Sequence, residues 1–454
     1  TSFIVISSIQ SSLEKSKRDK SSFITISDFR ISESSPFGIE EEYISNLKSQ
    51  DGINVVGRMN RIPGNSGTTG AGIDAQLLGI DKNLVDIAWT REDFFYETKD
   101  QLFSSWEQNL YDPGILIQDN ISTINIKNYS DKDLEDSFLW AIVKGSDGRI
   151  TAVSLGPIES KKWTINSVQL KNIKFPAKLV AVEVYQPSSE DNSVPFTLYL
   201  DSISLLNIDS EIVNQISFKD DYNWAPMPTS EGFDTSIELD DQGLIIKLGN
   251  GSTKGIRGIY ISDYLEGIPV IASDEFISKS GKGIEDQIIF NATGSYIPMK
   301  IVKSAKYFPG TSYNNDFILA DLQLLKNYLE LTKLQSFRPN ELVVDIQSEY
   351  QEKISEYVVE NFPLSSIKDK SMIEEKSLVT PIAVISWKGI SIVALWAFLS
   401  LIFIGLIGFY IANEIQSSFD NAINEAIGFT PLSKFVMSYF EYGTVIFSGV
   451  ISGV

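Results

Sequence analysis

The chain has 454 residues, 43% of them hydrophobic and 21% charged, which is the composition of a folded protein and enough length for two to four domains. It contains no cysteine and no histidine, so disulfides, Cys-based zinc sites, thiol nucleophiles and histidine-dependent catalysis are excluded from it. Its 38 basic and 59 acidic residues give a net charge of −21, which would repel the phosphates of a nucleic acid. We therefore expect no nucleic-acid partner.

Residues 1–22 are interpreted as the end of a preceding membrane helix and a connector. The short apolar patch Phe3–Ile6 is followed, not preceded, by a basic run at 15–20, which is the reverse of a signal peptide. The chain starts at Thr1 and stops inside an apolar run, so we expect both ends to be cuts through a longer protein.

Residues 23–119 form the first α/β part of a predicted ectodomain. Alternation of apolar and polar residues in 23–31 predicts a strand, helical spacing in 39–49 predicts a helix, and the apolar run 53–59 predicts a second strand. The glycine-rich loop 64–72 lacks the lysine and hydroxyl residue that end a phosphate-binding P-loop, so we interpret it as a turn.

The next segment, residues 120–207, consists of short apolar strands separated by turn residues. This spacing predicts an antiparallel β-sandwich that is inserted into the ectodomain and folds autonomously. The segment also resembles jelly-roll carbohydrate-binding modules, which implies a jelly-roll-like sandwich. Residues 208–380 then supply further strands and helices, which we expect to complete the α/β part. The predicted fold class is an α+β ectodomain with an inserted antiparallel β-sandwich, followed by α-helical transmembrane segments.

Clusters of carboxylates are the only candidates for acid–base or metal chemistry. They occur at 40–42, 131–136, 220–221 and 240–241, and the run 131–136 lacks the glycine and distal glutamate of an EF-hand calcium loop. We interpret these clusters as surface acidity. The sequence therefore predicts no catalytic residue, no metal site and no cofactor.

A transmembrane helix is predicted at 381–411. Residues 389–411 carry no charge, and as a helix they would be about 34 Å long, more than the roughly 30 Å of a bilayer's hydrocarbon core. Trp387 and Lys388 at one end and Tyr410 at the other partly match the anchoring residues of a membrane interface.

A helical segment follows the predicted span at 412–437. Phe419, Ile423, Ala426 and Ile427 recur at helical spacing and predict an amphipathic helix, which Gly428 would end. Residues 438–454 are small and apolar, and we interpret them as the truncated start of a second transmembrane helix.

The order of these C-terminal features resembles that of FtsX-like (MacB-type) ABC transporter permeases. In that family a first span leads to a cytoplasmic segment with an LRALG-like motif, and a glutamate then precedes a glycine-rich second span. Ala426-Ile427-Gly428 is similar to the end of that motif and Glu441 to the recurring acid, whereas Asn424 and Glu425 stand where the family often has basic residues. Three ectodomain segments also resemble those of larger members: 76–94, 268–277 and 306–329.

The resemblance implies a non-catalytic permease subunit that couples ATP hydrolysis on a separate ABC ATPase to movement of a large extracytoplasmic domain. Residues 412–437 would dock the ATPase. The implied coupling residues are Phe419, Ile423, Ala426, Ile427, Gly428 and Glu441. The resemblance also implies a multi-pass protein of the plasma membrane with residues 1–380 mostly extracytoplasmic, and a second permease copy or half as a partner.

An alternative of a different class is a membrane-anchored surface receptor or adhesin whose β-sandwich binds glycan. Trp140, Trp163 and Tyr185 could stack on a sugar, although aromatic residues in a sandwich usually fill its core. A single-span anchor needs neither the helix break at Gly428 nor a second apolar run, and both favour the permease. Within a permease the sandwich would be a spacer or would recognise an extracytoplasmic protein or glycan, and we favour the spacer.

Overall fold

The computed structural model describes most of the chain as two compact units. The described residues are 2–33, 35, 37–67, 72–106, 112–132, 137–185, 195–219, 221–228, 235–241, 243–249, 257–312, 316–379, 382–416, 418–428, 430, 432–433, 436–437, 439–440 and 443–444. Residues 22–370 form the large unit, and residues 1–21 with 371–454 form the small unit. The large unit combines helices with three β-sheets and is of the mixed α/β type that the sequence predicts.

The elements are numbered in chain order. The helices are α1 (Ser2–Thr25), α2 (Glu41–Lys48), α3 (Lys82–Ile87), α4 (Lys99–Phe103), α5 (Asp274–Ser280), α6 (Leu322–Lys333), α7 (Gln351–Asn361), α8 (Lys370–Val379), α9 (Ile382–Gln416) and α10 (Ser418–Ala426). The strands are β1 (Phe29–Glu33), β2 (Ile53–Ser66), β3 (Ile73–Ile80), β4 (Ile115–Ile117), β5 (Thr123–Ser130), β6 (Phe138–Lys144), β7 (Ile150–Pro157), β8 (Thr164–Gln169), β9 (Ala177–Tyr185), β10 (Phe196–Leu206), β11 (Ile212–Ser217), β12 (Trp224–Met227), β13 (Thr235–Asp240), β14 (Gly243–Leu248), β15 (Arg257–Ile261), β16 (Ile268–Ser273), β17 (Gln287–Ala292), β18 (Ser295–Ala305), β19 (Phe317–Asp321), β20 (Glu341–Ile346) and β21 (Ser365–Asp369).

The largest sheet has nine strands in the order β17-β18-β16-β19-β3-β2-β20-β1-β21. Strand β17 also pairs with the far end of the long strand β2, so the six strands from β17 to β2 close into a ring. The other end of the sheet, β2-β20-β1-β21, is antiparallel and is crossed by α2 and α7, which makes a split βαβ arrangement. Strands from both ends of the large unit thus share one sheet.

The central strands of this sheet are buried on both faces. Every residue of β16 is buried, and its side chains divide between two apolar clusters, one on each face of the sheet. Helix α6 covers one face with Leu325, Tyr328 and Leu329. Its N-terminus is capped by Asp321, whose carboxylate accepts hydrogen bonds from the amides of Gln323 and Leu324 at 2.8 and 3.0 Å.

The β-sandwich consists of two antiparallel six-stranded sheets and ends later than predicted. One sheet runs β13-β14-β10-β5-β8 with β11 beside β10, and the other runs β12-β15-β9-β6-β7 with β4 beside β9. The expected boundary at 207 is wrong because it falls in the hairpin between β10 and β11, where the amide of Asn207 donates to the carbonyl of Glu211 at 3.0 Å. Residues 207–211 are therefore a hairpin turn within the sandwich.

The aromatic side chains of the sandwich also differ from expectation. Trp163 and Tyr185 are exposed and Trp140 is half-buried, so they do not belong to the apolar cluster between the two sheets. That cluster contains Phe218 and Trp224, whose rings are 5.0 Å apart. Strand alternation explains this, since Trp140 and Tyr185 occupy positions that face away from the other sheet.

The predicted strand over 23–31 is shorter and is preceded by a helix. Helix α1 continues to Thr25, and β1 begins only at Phe29. Phe23 and Ile26 both lie in the apolar cluster that contains Phe94, because they are one helical turn apart. Over so few residues, that spacing is easily mistaken for the alternation of a strand.

The small unit contains the long apolar helix α9. Among the described residues, its window Ile392–Phe409, with a mean hydropathy of 2.6, is the one helical stretch long and apolar enough to cross a membrane, as judged by length and composition. The predicted second span, 438–454, lies outside the described residues except for 439–440 and 443–444.

Candidate functional site

The predicted coupling residues lie at and just after α10. Phe419, Ile423 and Ile427 are spaced four residues apart, so they share one face of the helix, and they are 74%, 44% and 70% exposed. Ala426 is the last helical residue, and Gly428 follows with a φ of 96°, its amide donating to the carbonyl of Glu425 at 3.0 Å. Among the described residues, an apolar face of α10 is therefore uncovered, and its role in coupling stays a prediction.

The last predicted coupling residue cannot be placed beside this face. Glu441 lies outside the described residues, and the side chain of Asn424, which departs from the family pattern, is likewise not described. Glu425 lies at an exposed position on the helix.

The point where the chain enters and leaves the large unit is a second candidate site. Strands β1 and β21 are antiparallel neighbours, with Phe29 opposite Asp369. Helix α1 therefore leads into the same edge of the unit from which α8 departs. The amide of Lys370 donates to the carbonyl of Asp28 at 3.0 Å, and its ammonium group lies 3.8 Å from the Asp28 carboxylate. We call residues 22–30 and 367–370 the junction.

The turn between α1 and β1 is buried and hydrogen-bonded. Ile26 has a φ of 70°, unusual for a β-branched residue, and its side chain is fully buried. The Thr25 hydroxyl donates to the carbonyl of Ser27 at 2.6 Å, and the Asp28 carboxylate accepts from the amide of Ile346 at 3.1 Å. Burial raises the pKa of Asp28, although the bond from Ile346 and the charge of Lys370 act in the opposite direction.

Three charged side chains stand beside this turn, two of them buried and one, Arg61, half-buried. The Arg30 guanidinium makes two hydrogen bonds to the Glu341 carboxylate, at 2.9 and 3.0 Å, and Arg61 donates to the same carboxylate at 2.8 Å. The residues Arg30 and Glu341 are only 7% and 5% exposed. Such charge-assisted bonds fix the relative positions of β1, β2 and β20, the strands that supply the three side chains.

Gly310 connects this charge cluster to the end of α1. Its amide donates to the carbonyl of Phe23 at 2.6 Å, and its carbonyl accepts from Arg30 at 3.2 Å and from Arg61 at 3.1 Å. Its φ is 80°, and a Cβ at this position would lie 2.7 Å from the Ile26 side chain. Only glycine fits here without strain.

Burial and the neighbouring charges shift the pKa values of Glu341 and Arg61. Burial by itself would raise the pKa of Glu341, but the charges of Arg61 and Arg30 and their hydrogen bonds outweigh it, so the pKa lies below its ordinary value. Burial lowers the pKa of Arg61, with Glu341 opposing that shift. The cluster is therefore held together by a carboxylate that remains ionised in the folded protein.

Within the part of the chain that the structure describes, the carboxylate clusters of the sequence do not assemble into a site. Among the residues that the structure describes, no group of three or more acidic side chains is placed to hold a metal ion. Glu40 pairs with Arg338 at 2.9 Å on the surface, and Asp131 accepts from the amide of Thr197 at 2.8 Å. Residues 133–136 and 220 lie outside the described part.

The charge cluster was not predicted from the sequence. Arg30 and Glu341 lie 311 positions apart along the chain, so no local motif could join them. The sequence did contain one weak indication of the cluster. Arg30, Arg61 and Glu341 each interrupt or border an apolar strand, and a charge buried there without a partner would cost free energy.

Comparison with known proteins gives structural matches only. No family model matches the chain, and no curated protein matches it in sequence. A similar solved structure is the extracellular domain of the noncanonic ABC-type transporter YknZ from Gram-positive bacteria, at 10% identity and a TM-score of 0.27, covering 75% of this chain and 97% of that one. Another is the periplasmic region of MacB from Actinobacillus actinomycetemcomitans, at 9% identity and a TM-score of 0.29, covering 79% and 96%.

Proposed function

We propose that the chain is the permease subunit of an ABC-type transporter or mechanotransmission complex. A separate ATPase would bind α10, and the resulting movement would pass through α9 and α8 to the large unit. The observation on which the proposal chiefly rests is the C-terminal order: an apolar helix long enough to span a bilayer, then a short helix with an uncovered apolar face that ends at Gly428.

The junction supports the same proposal by its rigidity. A displacement of α8 reaches β21 directly, and β21 is paired along its length with β1. Residues 23 and 24 at the end of α1 are hydrogen-bonded through Gly310 and Arg30 to the large unit, and we infer that this bonding would limit local unfolding at the junction when the helices move.

The first test concerns the uncovered face of α10. Replacing Ile423 with aspartate puts a charge into the proposed interface, and we expect the full-length protein to bind its ATPase at least tenfold more weakly. Burial of one such side chain contributes about 1.5–3 kcal/mol, which corresponds to this factor or more. Co-purification of the tagged full-length protein with an ATPase, followed by titration of the ATPase, measures the effect.

The matched control lies on the opposite side of the same helix. Glu425→Gln removes a charge there without touching the apolar face and should leave ATPase binding unchanged. If Ile423→Asp and a protein without residues 412–437 both bind the ATPase as tightly as the unaltered protein, the ATPase docks elsewhere.

The alternative function, glycan binding by the sandwich, is favoured by one observation. Tyr129 lies 5.6 Å from both Trp163 and Tyr199, ring to ring, and the Lys127 ammonium group is 5.2 Å from the Trp163 ring. Trp163 is 37% exposed, so this aromatic group offers a ring face with a hydrogen-bond donor beside it.

Affinity electrophoresis of the full-length protein through gels containing cell-wall polysaccharides tests this alternative. If the sandwich binds glycan, Trp163→Ala should abolish retardation, because the ring supplies the stacking surface. Tyr43→Ala, which removes an exposed aromatic outside the sandwich, should leave it intact. Migration of the unaltered protein at the same rate with and without polysaccharide would eliminate glycan binding.

A further inference from the structure

A cavity lies at the surface of the large unit, where α2, β2, α6 and the loop between α6 and β20 meet. Its volume is about 440 Å³, within the range of small-molecule sites. Among the described residues, the charged side chains that line it are three basic ones and one acidic one: Arg58, Lys326, Arg338 and Glu41. The whole chain carries a net charge of −21, so an excess of positive charge is a local feature of this cavity.

The two guanidinium groups in the lining are only partly occupied. In the described part of the chain, each makes one side-chain hydrogen bond: Arg338 donates through Nη1 to Glu40 at 2.9 Å, and Arg58 donates through Nη2 to Glu41. The side chains of Glu40 and Glu41 are 55% and 62% exposed, and ion pairs at such positions contribute little free energy. A ligand can therefore replace either glutamate at small cost.

The third cation, Lys326, is also incompletely neutralised. Its ammonium group lies 3.9 Å from the Glu330 carboxylate. That carboxylate is buried, accepts from the amide of Phe337 at 3.0 Å and lies 3.5 Å from the ammonium group of Lys144. One carboxylate thus serves two lysines and a backbone amide, which leaves positive charge at the cavity.

The backbone that carries Arg338 is held in place. The carbonyl of Arg338 accepts from the side-chain amide of Asn60 at 2.7 Å, and the carbonyl of Pro339 accepts from the amide of Ile39 at 2.8 Å. Arg58 stands within the long strand β2, between two paired strands. The cations are therefore mounted on ordered backbone, which lowers the entropy cost of binding a ligand.

The other acidic groups beside the cavity are bonded to backbone amides. Asp321 caps α6, and Asp81 accepts from the amide of Arg58 at 3.0 Å and from that of Leu84 at 2.8 Å. An anion with one charged group would only exchange one carboxylate for another at a single guanidinium. An anion with two or more charged groups can bond to both guanidinium groups at once, and linking the two contacts raises the affinity.

We propose that this cavity binds a compact polyanion with two or more carboxylate or phosphate groups. One charged group accepts hydrogen bonds from Arg338 and another from Arg58, in place of the exposed glutamates, and Lys326 supplies a third positive charge. The planar guanidinium group suits the oxygens of both carboxylate and phosphate. Because α2, β2, α6 and the loop before β20 all line the cavity, the bound anion also holds these elements together.

The test uses the full-length protein in nanodiscs of zwitterionic lipid at constant ionic strength, with calorimetric titration of citrate, pyrophosphate and acetate. Citrate and pyrophosphate distinguish carboxylate from phosphate as the preferred group, and binding of either one supports the proposal. Acetate carries a single charged group, and we expect it to bind at least about tenfold more weakly than the preferred probe.

Substitutions in the lining should weaken the preferred probe. Arg338→Gln removes one guanidinium group and should lower the affinity about tenfold, the value of a hydrogen bond to a charged group. Lys326→Gln removes a charge without a required hydrogen bond and should lower it about threefold. Arg149→Gln, at an arginine of the sandwich whose side chain is 84% exposed, changes the net charge equally and should leave the affinity unchanged.

Glu41→Gln provides a test that a folding defect cannot imitate. It removes the acidic side chain of the lining and should tighten binding of the preferred probe about two- to fivefold. Glu42→Gln changes the net charge equally at an exposed position that does not line the cavity, and it should have no effect. The proposal is overturned if neither citrate nor pyrophosphate binds the unaltered protein, if acetate binds as tightly as they do, or if Arg338→Gln leaves their affinities unchanged.

Discussion

Replacing Glu341 with glutamine should destabilise the large unit by about 3–5 kcal/mol, the cost of removing one partner from a buried ion pair. Arg30 and Arg61 both bind this carboxylate, and both would remain buried as uncompensated cations. Hydrogen exchange of the β1 and β20 amides in the full-length protein measures the change, which should appear as a hundredfold or greater loss of protection.

The exposed pair Glu40–Arg338 supplies the control. Glu40→Gln breaks an ion pair of similar length, 2.9 Å, whose two side chains are 55% and 38% exposed, and should change stability by less than about 1 kcal/mol. The lowered pKa of Glu341 also determines how stability depends on pH. The contribution of the ionised Glu341 to the free energy of unfolding is complete above the ordinary carboxyl pKa and is lost as the pH falls through the lowered pKa. Equal protection of these amides from hydrogen exchange in the Glu341→Gln and unaltered proteins would mean that the cluster does not stabilise the junction.

Replacing Glu183 with glutamine should stabilise the large unit at neutral and alkaline pH. Glu183 stands opposite Trp140 in β6 and Gly258 in β15, and it faces away from the sandwich core that contains Val182 and Val184. It is 8% exposed, and one of its carboxyl oxygens has no hydrogen-bond partner. Burial raises its pKa to about 8, so the folded protein holds this carboxyl in its neutral form at pH 7.

The sign of the pH dependence follows from that raised pKa. Between about pH 4.5 and 8 the folded protein retains the Glu183 proton while the unfolded chain releases it, so stability falls by about 1.4 kcal/mol per pH unit. The total cost at pH 7 is on the order of 3 kcal/mol, which Glu183→Gln should recover. Urea midpoints of the full-length protein, followed by tryptophan fluorescence at pH 5, 7 and 8.5, measure it.

The control for this series is Glu238→Gln, at an exposed position of β13. It should shift all three midpoints alike and leave their pH dependence unchanged. A pH dependence as steep in Glu183→Gln as in the unaltered protein would show that the Glu183 carboxyl is ionised in the folded state, contrary to the expectation from its burial.

Local patterns predicted most of the individual elements. The helix within 39–49 was expected from helical spacing, the strand that begins at 53 from an apolar run, and the apolar helix α9 from its length without charge. These features depend on neighbouring residues alone. The mixed α/β character of the large unit was also predicted, because strands interrupted by turns over more than a hundred residues have few other solutions.

Features that depend on distant residues were not predicted. The predicted end of the sandwich at 207 was wrong because a hairpin turn and a domain linker use the same types of turn residue. Only the pairing of β11 with β10 shows that the turn is a hairpin. The closure of the main sheet by β17 and β2 requires residues 64–66 to meet residues 290–292. The buried charges likewise become a cluster only when β1, β2 and β20 are adjacent.

The pairing of the first strand with the last affects which insertions and deletions the large unit can accept in evolution. Because β1 and β21 are neighbours, the two ends of the large unit are one strand spacing, roughly 5 Å, apart. A domain with such ends can be exchanged, enlarged or trimmed without altering the separation of the helices that flank it, as in tolerated domain insertions. The size and surface of the large unit can therefore change in evolution while its two chain ends remain adjacent.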